Sequence, residues 1–463
     1  MKVLLVNPYS DTHYFVPPIG IGYLITALRK NSFSVSFVDA VKDKVLPVKL
    51  LNIVGKIQPD IVGFTVFSCD IAIVKEYVNM IRIKFPNILI VLGGPHVSGV
   101  KEEIFEDFPK IDYAMCGECE VSFPILLNEL KKPNKSRNFE KIRGLIYKKK
   151  EKIIVNSILF EEDLDKLEFP AWDVMIPNTY PQAPQGAVFR NWPIAPILTT
   201  RGCPYNCTYC AGKITTGQRI RKRSLSHVLE ETEMLYKKYG VREFHIIDDT
   251  FTSDKERAIS FCKEVIKRNL KISLTFPNGV RLNTLDEELL YWLKKAGCYS
   301  ITLGIESGNQ KILNDMKKGL KLDMIETKVK LINKMKIDIM SFFIVGYPTE
   351  NKKTILETIA FAKKLKIKRA HFSTFLPLPG TEATIQLIKD GRLKKIDWSK
   401  MMYTDAPCPP NGMTSKELKS LQRKAFLEFY LRPHILWYML LEIRSWIHFK
   451  SLFKRAWDYA FGR

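Results

Sequence analysis

The chain lacks any hydrophobic run long enough to cross a membrane. No stretch reaches the roughly 18 consecutive apolar residues that a membrane-spanning helix needs. The opening residues, 1–7, read as a strand, so we expect no signal peptide ahead of the fold. These two absences predict a cytoplasmic protein whose 9 cysteines stay reduced, because disulfides are rare in that compartment.

Acidic residues are scarce beside basic ones, with 49 Asp and Glu against 72 Lys and Arg, a formal net charge of +23. Such a balance suits nucleic acid, an anionic membrane surface or an acidic substrate, but lysine-rich solvated helix faces explain it equally well. Apolar residues, in contrast, make up 46% of the 463 residues. That supply is enough for the two or three domains that this length predicts.

Three cysteines stand close together in the run Thr-Thr-Arg-Gly-Cys-Pro-Tyr-Asn-Cys-Thr-Tyr-Cys-Ala-Gly, at Cys203, Cys207 and Cys210. A structural zinc site would need a fourth thiol or imidazole at a second short spacing, and none follows. A C-x3-C-x2-C loop can instead bind three irons of a four-iron cluster and leave the fourth open to a small molecule. The spacing therefore predicts a reactive iron–sulfur cluster.

The triplet follows a strand-like run at residues 195–200 and opens an α/β stretch, and in this setting it resembles the radical S-adenosylmethionine (SAM) superfamily. The resemblance implies that the open iron binds the amino and carboxylate groups of SAM. It also implies that one electron from the reduced cluster cleaves SAM to methionine and a 5′-deoxyadenosyl radical. An electron donor such as flavodoxin or ferredoxin is then a required partner.

Six strand-like runs alternate with helical patterns between residues 195 and 385, which we expect to form one domain. They fit the partial (βα)6 barrel of the superfamily, whose chemistry takes place at the carboxyl ends of the strands. The runs are 195–200, 244–247, 273–276, 300–303, 339–345 and 370–375.

The resemblance assigns SAM contacts to the ends of these strands. Tyr209, between two of the cysteines, matches the aromatic position near the adenine. Asp248 and Asp249 follow the second strand, where the backbone of the family meets the methionyl amino group. An acidic helix N-cap is the alternative interpretation of these carboxylates.

Two further segments resemble SAM contacts of the superfamily. Glu306 and Ser307 belong to Gly-Ile-Glu-Ser-Gly after the fourth strand, which resembles a G-x-E-S segment that contacts SAM. Gly346 follows the fifth strand in a segment like the G-x-P-x-E that flanks the adenine, and Glu350 of the same segment is equally well a helix cap. Arg281 is a weaker candidate at the end of the third strand.

Residues 1–125 show five short apolar runs separated by helical patterns, which predict a doubly wound parallel sheet. Ligands of such sheets bind at the carboxyl ends of the strands. Asp11 with His13, Thr65, and the pair Gly93 and Gly94 stand at those ends. They resemble the D-x-H-x-x-G, S-x-L and G-G pattern of the cobalamin-binding fold.

A second run strengthens this resemblance, because residues 16–24, Val-Pro-Pro-Ile-Gly-Ile-Gly-Tyr-Leu, resemble the P-P-L-G-L-x-Y-L of cobalamin-binding radical enzymes. Val16 stands where the general cobalamin pattern has glycine, so we do not expect His13 to bind cobalt; it also reads as an ordinary loop histidine. Cys116-Gly-Glu-Cys119 resembles the G-E-G-E turn of the subclass, and we interpret it as a turn that holds two thiols.

The remaining segments are predicted to connect and to flank these domains. Residues 126–194 read as a linker, within which Leu-Glu-Phe-Pro-Ala-Trp-Asp at 167–173 resembles the L-P-x-P-A-W-D linker of the subclass and should dock one domain on the other. Residues 386–463 read as helical. Their last part interleaves aromatic and basic residues, which suits either a helix at a membrane interface or a helical cap on the barrel.

The expected function is that of a cobalamin-dependent radical SAM enzyme that methylates an unactivated carbon of a small-molecule or lipid substrate. An oxidative cyclase or rearrangement enzyme is the alternative within the same chemistry. A first domain that serves only as a ligand-free binding module is an alternative of another class. Nucleic acid is not an expected partner, because the extra cysteines and the RNA-binding barrel of a methylthiotransferase are not visible.

Overall fold

The computed structural model describes residues 1–10, 15–182, 189–394, 396–443, 446, 449–450, 452–454 and 457. Two parallel sheets with helices around them confirm the predicted α/β class. In these described ranges, no helix combines the length and the apolar character needed to cross a bilayer.

The first sheet has seven strands in the spatial order β2-β1-β3-β4-β5-β6-β7, and β1 to β5 are parallel. Its central strands are buried on both faces, which explains why they read as continuous Val, Ile and Leu runs. The strands are β1 (Lys2–Asn7), β2 (Ser34–Asp39), β3 (Ile61–Thr65), β4 (Leu89–Gly93), β5 (Tyr113–Met115), β6 (Leu145–Lys149) and β7 (Lys152–Val155).

The hairpin of β6 and β7 joins this sheet antiparallel to β5, with Tyr147 opposite Tyr113. The sheet thus continues beyond residue 125 into the segment that we predicted as linker. The physical reason is that the short strand β5 would otherwise present open backbone groups at an edge. The helices around the sheet are α1 (Ile19–Lys30), α2 (Ala40–Asp43), α3 (Pro47–Ile57), α4 (Ile71–Lys84), α5 (Pro95–Val100), α6 (Ile104–Asp107) and α7 (Ser122–Lys131).

The second sheet has six parallel strands in the order β15-β14-β13-β12-β11-β8, the arrangement expected for a partial (βα)6 barrel. A separate antiparallel pair, β9 (Thr200–Arg201) and β10 (Arg221–Lys222), follows its first strand. The six strands are β8 (Ile194–Ile197), β11 (Glu243–Ile246), β12 (Ser273–Val280), β13 (Cys298–Glu306), β14 (Asp338–Val345) and β15 (Arg369–Thr374).

Helices alternate with these strands and mostly begin at side-chain caps. Ser224, Asp254, Asp286 and Asn351 each accept a hydrogen bond from a backbone N–H of the first turn. The helices are α8 (Gly212–Thr215), α9 (Leu225–Lys238), α10 (Lys255–Lys267), α11 (Glu287–Lys295), α12 (Gln310–Asp315), α13 (Leu322–Lys334), α14 (Lys352–Lys364), α15 (Glu382–Lys389), α16 (Ser415–Tyr430) and α17 (Pro433–Leu441).

The segment at 167–173 packs between the two domains. The Ala171 N–H donates to the Gly22 carbonyl of α1 at 3.1 Å. The Trp172 indole N–H donates to the Glu231 carboxylate of α9 at 2.8 Å. A methyl group on Gly22 would lie 2.1 Å from the Met175 side chain, so only glycine permits this contact. The segment therefore holds α1 and α9 together.

Helix α16 lies along the edge strand β15 and spans the depth of the barrel. Near its start, the Leu418 side chain occupies the space above Gly346, at the carboxyl end of β14. At its end, the Tyr430 hydroxyl donates to the Ala370 carbonyl at 2.9 Å, at the start of β15. The next helix, α17, consequently lies at the end of the barrel opposite the mouth.

Candidate active site

The three cysteines of the predicted cluster site lie in a loop, residues 202–220, which is closed at its base by the pairing of β9 with β10. Gly202 turns the chain with φ of 98°, and a side chain there would lie 2.1 Å from the Arg219 carbonyl oxygen. The Cys203 N–H donates to the Gly217 carbonyl at 3.0 Å across the loop. Cys207 is buried, whereas Cys210 is exposed. All 9 cysteines of the chain are free thiols.

Two of these thiols have hydrogen-bond donors. The Gly212 N–H lies 3.3 Å from the Cys210 Sγ, and the Arg281 guanidinium lies 3.9 Å from the Cys207 Sγ. Such donors stabilise thiolates that bind iron. Although part of the residue is exposed, the protein atoms around the Cys210 Sγ keep water from it and raise the pKa of this thiol to about 11, so a bound cation would replace its proton. The donor set therefore fits an iron–sulfur cluster.

A single metal ion fits the structure less well. In the part of the chain that the structure describes, no three His, Cys, Asp or Glu side chains are grouped so that they could hold a metal ion. A four-iron cluster makes a different demand, because each thiolate binds a separate iron.

Asp248 and Asp249, at the end of β11, make different contacts. The buried Asp248 carboxylate accepts from the Thr199 N–H at 2.6 Å and from the Thr200 hydroxyl at 2.9 Å, and burial raises its pKa to about 6. The exposed Asp249 accepts from the Thr216 hydroxyl of the cysteine loop at 2.9 Å. The Asp248 side chain thus ties β11 to the end of β8. A SAM contact from its backbone, and any SAM contact of Asp249, stay predictions.

Three side chains from separate segments meet beside the cysteine loop. The Glu306 carboxylate lies 2.8 Å from the Lys318 ammonium, which also lies 3.2 Å from the Tyr209 hydroxyl. Glu306 holds a left-handed backbone with φ of 68°, a conformation that costs about 1–3 kcal/mol for a residue with a side chain. Burial, and then the Glu306 carboxylate, raise the pKa of Tyr209 well above its usual range.

This trio offers one cation, one anion and one aromatic face within a single contact network. An ammonium group binds carboxylates, and a carboxylate binds ammonium or hydroxyl groups, so the trio suits a zwitterion such as the methionyl end of SAM together with its ribose. Sequence reasoning missed Lys318. The chain has 72 basic residues, and the sequence around Lys318 shows no distinctive pattern. Its spacing from Glu306 shows no helical or strand period that predicts the contact.

Arg281, at the end of β12, connects this trio to the cluster loop. Its guanidinium donates to the Lys318 carbonyl and stacks on the Tyr205 ring, with 3.6 Å between the guanidinium carbon and the ring centroid. Together with its contact to Cys207, these interactions place Arg281 between the loop and Lys318. The nearby Asn278 donates to the Ile247 carbonyl at 2.7 Å.

The other two predicted SAM residues have local structural contacts. The Ser307 hydroxyl is buried and lies 3.1 Å from the Thr358 hydroxyl of α14. The Gly346 N–H donates to the Glu350 carboxylate at 2.7 Å, so Glu350 closes the turn after β14. Burial raises the pKa of Glu350 to about 8. Ser307 and Gly346 lie outside the Tyr209 trio, and their contacts with SAM stay predictions.

A cavity of about 350 Å³ lies at the carboxyl ends of the first sheet. The predicted residues Thr65, Gly93 and Gly94 line it together, and Thr215 and Thr216 of the cysteine loop form part of its wall. Gly94 has φ of 99° and ψ of −176°, which only glycine adopts readily, and a Cβ there would lie 2.8 Å from the Val66 nitrogen. Asp11 and His13 lie outside the described residues.

The lining of this cavity fits a large, mostly apolar ligand. Leu, Ile, Val, Phe and Met supply 12 of the 27 lining residues, and five more are glycine. Cavities of this size bind ligands mainly through apolar surface, with a few polar groups that fix orientation. The glycines let the backbone approach the ligand closely, so the residues present fit a corrinoid.

Buried charges join this cavity to the cysteine loop. Both Glu118 carboxylate oxygens accept from the Arg221 guanidinium, at 2.6 and 2.7 Å. Arg201, next to the loop, lies 2.8 Å from Glu120 and 3.4 Å from Glu118. Each of the four side chains is about one tenth exposed or less. The turn that resembles G-E-G-E therefore supplies two carboxylates to the base of the cysteine loop, a pairing that the sequence did not predict.

The two thiols of that turn and the nearby His96 have structural contacts. Burial raises the pKa of Cys116 to about 12 and that of Cys119 further, so both stay protonated. His96 is buried, with its Nδ1 3.0 Å from the Ser68 hydroxyl and its ring edge-on to Trp398. These contacts agree with our interpretation of the turn and with a structural role for His96.

Sequence models of two protein families match the chain. The model of the radical SAM superfamily matches residues 197–362, and that of the B12 binding domain matches residues 2–127. A protein of Pyrococcus horikoshii named "Uncharacterized methyltransferase PH0819" is 31% identical over 443 residues, which cover 94% of each chain. The chain belongs to the cobalamin-binding radical SAM enzymes. Its cofactors are accordingly a 4Fe–4S cluster, SAM and cobalamin, as predicted.

Two other similar proteins bear on fold and chemistry. The anaerobic magnesium-protoporphyrin IX monomethyl ester cyclase of Cereibacter sphaeroides is 28% identical, over 95% of this chain and 72% of the relative. The structure of the cobalamin-dependent radical SAM enzyme OxsB, with aqua-cobalamin and SAM bound, superposes with a TM-score of 0.76 at 17% identity, covering 99% of this chain and 72% of that one. This second likeness confirms the fold.

Proposed function

We propose that this radical SAM enzyme transfers a methyl group to an unactivated carbon of a small-molecule or lipid substrate. The observation that carries the proposal is the shared wall between the cavity and the cysteine loop, formed by Thr215 and Thr216. A corrinoid in that cavity would lie next to the site where SAM is cleaved. The methyltransferase name of the relative with 31% identity supports the same chemistry.

Each cofactor is assigned to residues of this chain. Cys203, Cys207 and Cys210 hold the cluster, and Arg281 contacts one of their thiols. Lys318 and Glu306 hold the charged and hydroxyl groups of SAM, with Tyr209 beside them. The corrinoid is assigned to the cavity that the first sheet lines, with Asp11 and His13 as predicted further contacts. The predicted corrinoid-binding residues that line this cavity are Thr65, Gly93 and Gly94.

When bound, the cluster supplies the electron that cleaves SAM, and the corrinoid carries the methyl group. One SAM molecule yields methionine and 5′-deoxyadenosine, the latter formed with the hydrogen taken from the substrate carbon. A second SAM molecule gives up its methyl group and leaves as S-adenosylhomocysteine. The product has a new carbon–carbon bond in place of the lost carbon–hydrogen bond, and a flavodoxin or ferredoxin provides the electrons.

The chain's own residues prepare this site by orientation and by exclusion of water. The Glu118–Arg221 pair fixes the base of the cysteine loop against the cavity. Thr216 connects the loop to Asp249 at the end of β11. The mostly apolar lining of the cavity would limit the water that reaches a ligand bound there.

The test uses protein purified and reconstituted without oxygen, and SAM that carries a deuterated methyl group. We expect bound corrinoid, about four irons per chain, and 5′-deoxyadenosine in step with a deuterium-labelled product from small-molecule and lipid extracts. Cys203→Ala should abolish both products, whereas Cys69→Ala, at an exposed thiol, should retain them. Labelled product without 5′-deoxyadenosine would contradict the proposed radical transfer.

An oxidative cyclase is the second candidate, favoured by the relative from Cereibacter sphaeroides. Both chemistries use the same cofactors and the same carbon–hydrogen cleavage, so the sites described here serve either. The same experiment separates them. A product that forms with 5′-deoxyadenosine, lacks deuterium and has lost hydrogen would support the cyclase. Corrinoid-free protein that still cleaves SAM would instead support a first domain that acts only as a binding module.

A peripheral position at a membrane also belongs to this proposal. It would bring the enzyme near lipid substrates or near membrane-bound pathways that make its substrate. The aromatic and basic C-terminal segment suggests this location.

A further inference from the structure

Helix α17 exposes most of its apolar side chains. Ile435 is buried and Met439 packs partly against the barrel core, so these two residues attach the helix. The opposite face has no such cover, and Trp437 is 62% exposed. The exposed apolar residues of the helix are Leu436, Trp437, Tyr438, Leu440 and Leu441.

Further exposed aromatic side chains follow α17 in the sequence. Trp446, Phe449, Phe453 and Trp457 stack in order, with ring centroids 5.1, 6.2 and 6.0 Å apart. Trp446 is 67% exposed, and Phe453 and Trp457 are more than half exposed. We call the exposed residues of α17 together with this stack the C-terminal aromatic surface. A group of several large apolar side chains that are exposed together marks an interaction site.

The C-terminal segment that carries this surface is rich in basic residues. Residues 431–463 contain six Lys or Arg and only two Asp or Glu. A second basic run, residues 363–369, lies against α17, because Lys368 stands 4.4 Å from the Tyr438 ring centroid and Arg432 donates to the Lys363 carbonyl at 2.8 Å. Four of the five basic side chains in this run pair with Asp or Glu, so it adds little net charge. The exposed Lys450 and Lys454 lie beside the aromatic stack, with the Lys450 ammonium 5.5 Å from the Trp446 ring centroid, so the surface combines apolar side chains with nearby positive charge.

We propose that the C-terminal aromatic surface docks the protein on an anionic lipid bilayer. Trp and Tyr prefer the boundary between headgroups and acyl chains, and lysines bury their stems there while their ammonium groups reach anionic headgroups. A helix with these features lies in the plane of the interface. Contact with a second copy is less favourable, because it would bring the Lys450 and Lys454 side chains of two copies close together.

The docking surface lies apart from the chemistry. Helix α16 separates the mouth, where Leu418 covers Gly346, from the floor, where Tyr430 contacts Ala370 and α17 begins. A bilayer at α17 would therefore leave the mouth and the cavity open. Docking through the C-terminal aromatic surface would account for the membrane position in the proposed function, and it does not depend on methyl transfer.

Vesicle flotation tests the inference with the full chain carrying its cofactors. Phosphatidylcholine vesicles with and without phosphatidylglycerol are compared, and SAM cleavage is assayed on the same protein. The test variant combines Trp437→Gln, Leu440→Gln and Leu441→Gln. The matched control combines Val48→Gln, Ile83→Gln and Leu159→Gln, which are exposed apolar residues elsewhere on the molecule.

We expect the wild type and the control to bind anionic vesicles far more tightly than neutral ones, and high salt to weaken that binding. The test variant should lose binding by about a hundredfold and still cleave SAM. Equal flotation of wild type and test variant would overturn the inference. A wild type that floats with neither kind of vesicle would also overturn it. In that case, a wild-type dimer and a monomeric test variant in sedimentation velocity would assign the surface to contact between two copies. Failure of SAM cleavage alone would count against the proposed function and not against docking.

Discussion

The two parallel sheets present different chemistry at their carboxyl ends. The first sheet offers glycines and apolar side chains around a cavity, with Gly94 in a conformation that excludes other residues. The second offers charged groups that contact one another, among them Glu306 and Lys318. The difference fits the ligands that we propose for each end, because a corrin is large and needs room and backbone approach, whereas SAM is small and carries charges at one end. The same parallel-strand topology could thus bind either ligand, because different residues stand at the carboxyl ends of the strands.

Loss of a thiol should produce the largest effect, and on the second sheet alone. Cys203→Ala should remove most of the iron and abolish 5′-deoxyadenosine formation, because a cluster with two thiolates is not held. Corrinoid content should stay near that of the wild type, since the cavity does not include this residue. Iron, corrinoid and cleavage are measured on one anaerobic preparation. A loss of corrinoid as large as the loss of iron would contradict the idea that the two sheets bind their cofactors independently.

Removal of the shared carboxylate should affect both ends. Glu118→Gln leaves the buried Arg221 without its partner, and breaking a buried pair in this way costs about 3–5 kcal/mol in the free energy of unfolding. Denaturant titration measures the change. Glu140→Gln, which breaks the exposed pair with Lys149, is the control and should leave the unfolding midpoint unchanged. An equal response of the two variants would show that the junction adds nothing.

Charge at the mouth should matter for SAM affinity. Lys318→Met should weaken SAM binding by about 10- to 100-fold, because a hydrogen bond to a charged group is lost. The adjacent Lys317, which pairs with Glu382 at the surface, provides the control as Lys317→Met. Equilibrium dialysis gives the affinity, and iron content verifies that the cluster is present. Unchanged affinity in Lys318→Met would remove Lys318 from the SAM site.

The smallest effect is expected from a methyl group at the first sheet. Gly94→Ala should lower stability by about 1–3 kcal/mol and reduce bound corrinoid, because of both backbone strain and the close Val66 nitrogen. Gly391→Ala is the control, since Gly391 also has positive φ, 69°, but has open space around it. Corrinoid absorbance and the unfolding midpoint are compared. A corrinoid loss as large in Gly391→Ala would mean that strain alone, and not the cavity, is responsible.

Local sequence patterns predicted those parts of the site that consist of residues close together in the chain. The cysteine loop needs only the spacing of Cys203, Cys207 and Cys210, and the glycine pair needs only Gly93 and Gly94. The alternation of strands and helices likewise predicted the six strands of the barrel, because burial on both faces gives continuous apolar runs.

Contacts between distant segments were not predictable in this way. Glu118 and Arg221 are 103 positions apart, and although Glu118 belongs to a recognisable turn, no local pattern links it to Arg221. Lys318 was hidden among many lysines, and the hairpin of β6 and β7 gave no indication of which sheet edge it would join. Asp248 was predicted from its place after a strand, but its carboxylate is used by Thr199 and Thr200, whose hydrogen bonds depend on how two strands end side by side.

The length of helix α16 sets the distance between the barrel mouth and the proposed docking surface. Its 16 residues extend over about 24 Å at the rise of an α-helix. With α17 at the level of lipid headgroups, the barrel mouth would stand roughly that far into the aqueous phase. A substrate confined to the acyl chains would have to be lifted out of the bilayer to react, whereas a water-soluble substrate made at the membrane would meet the mouth by diffusion.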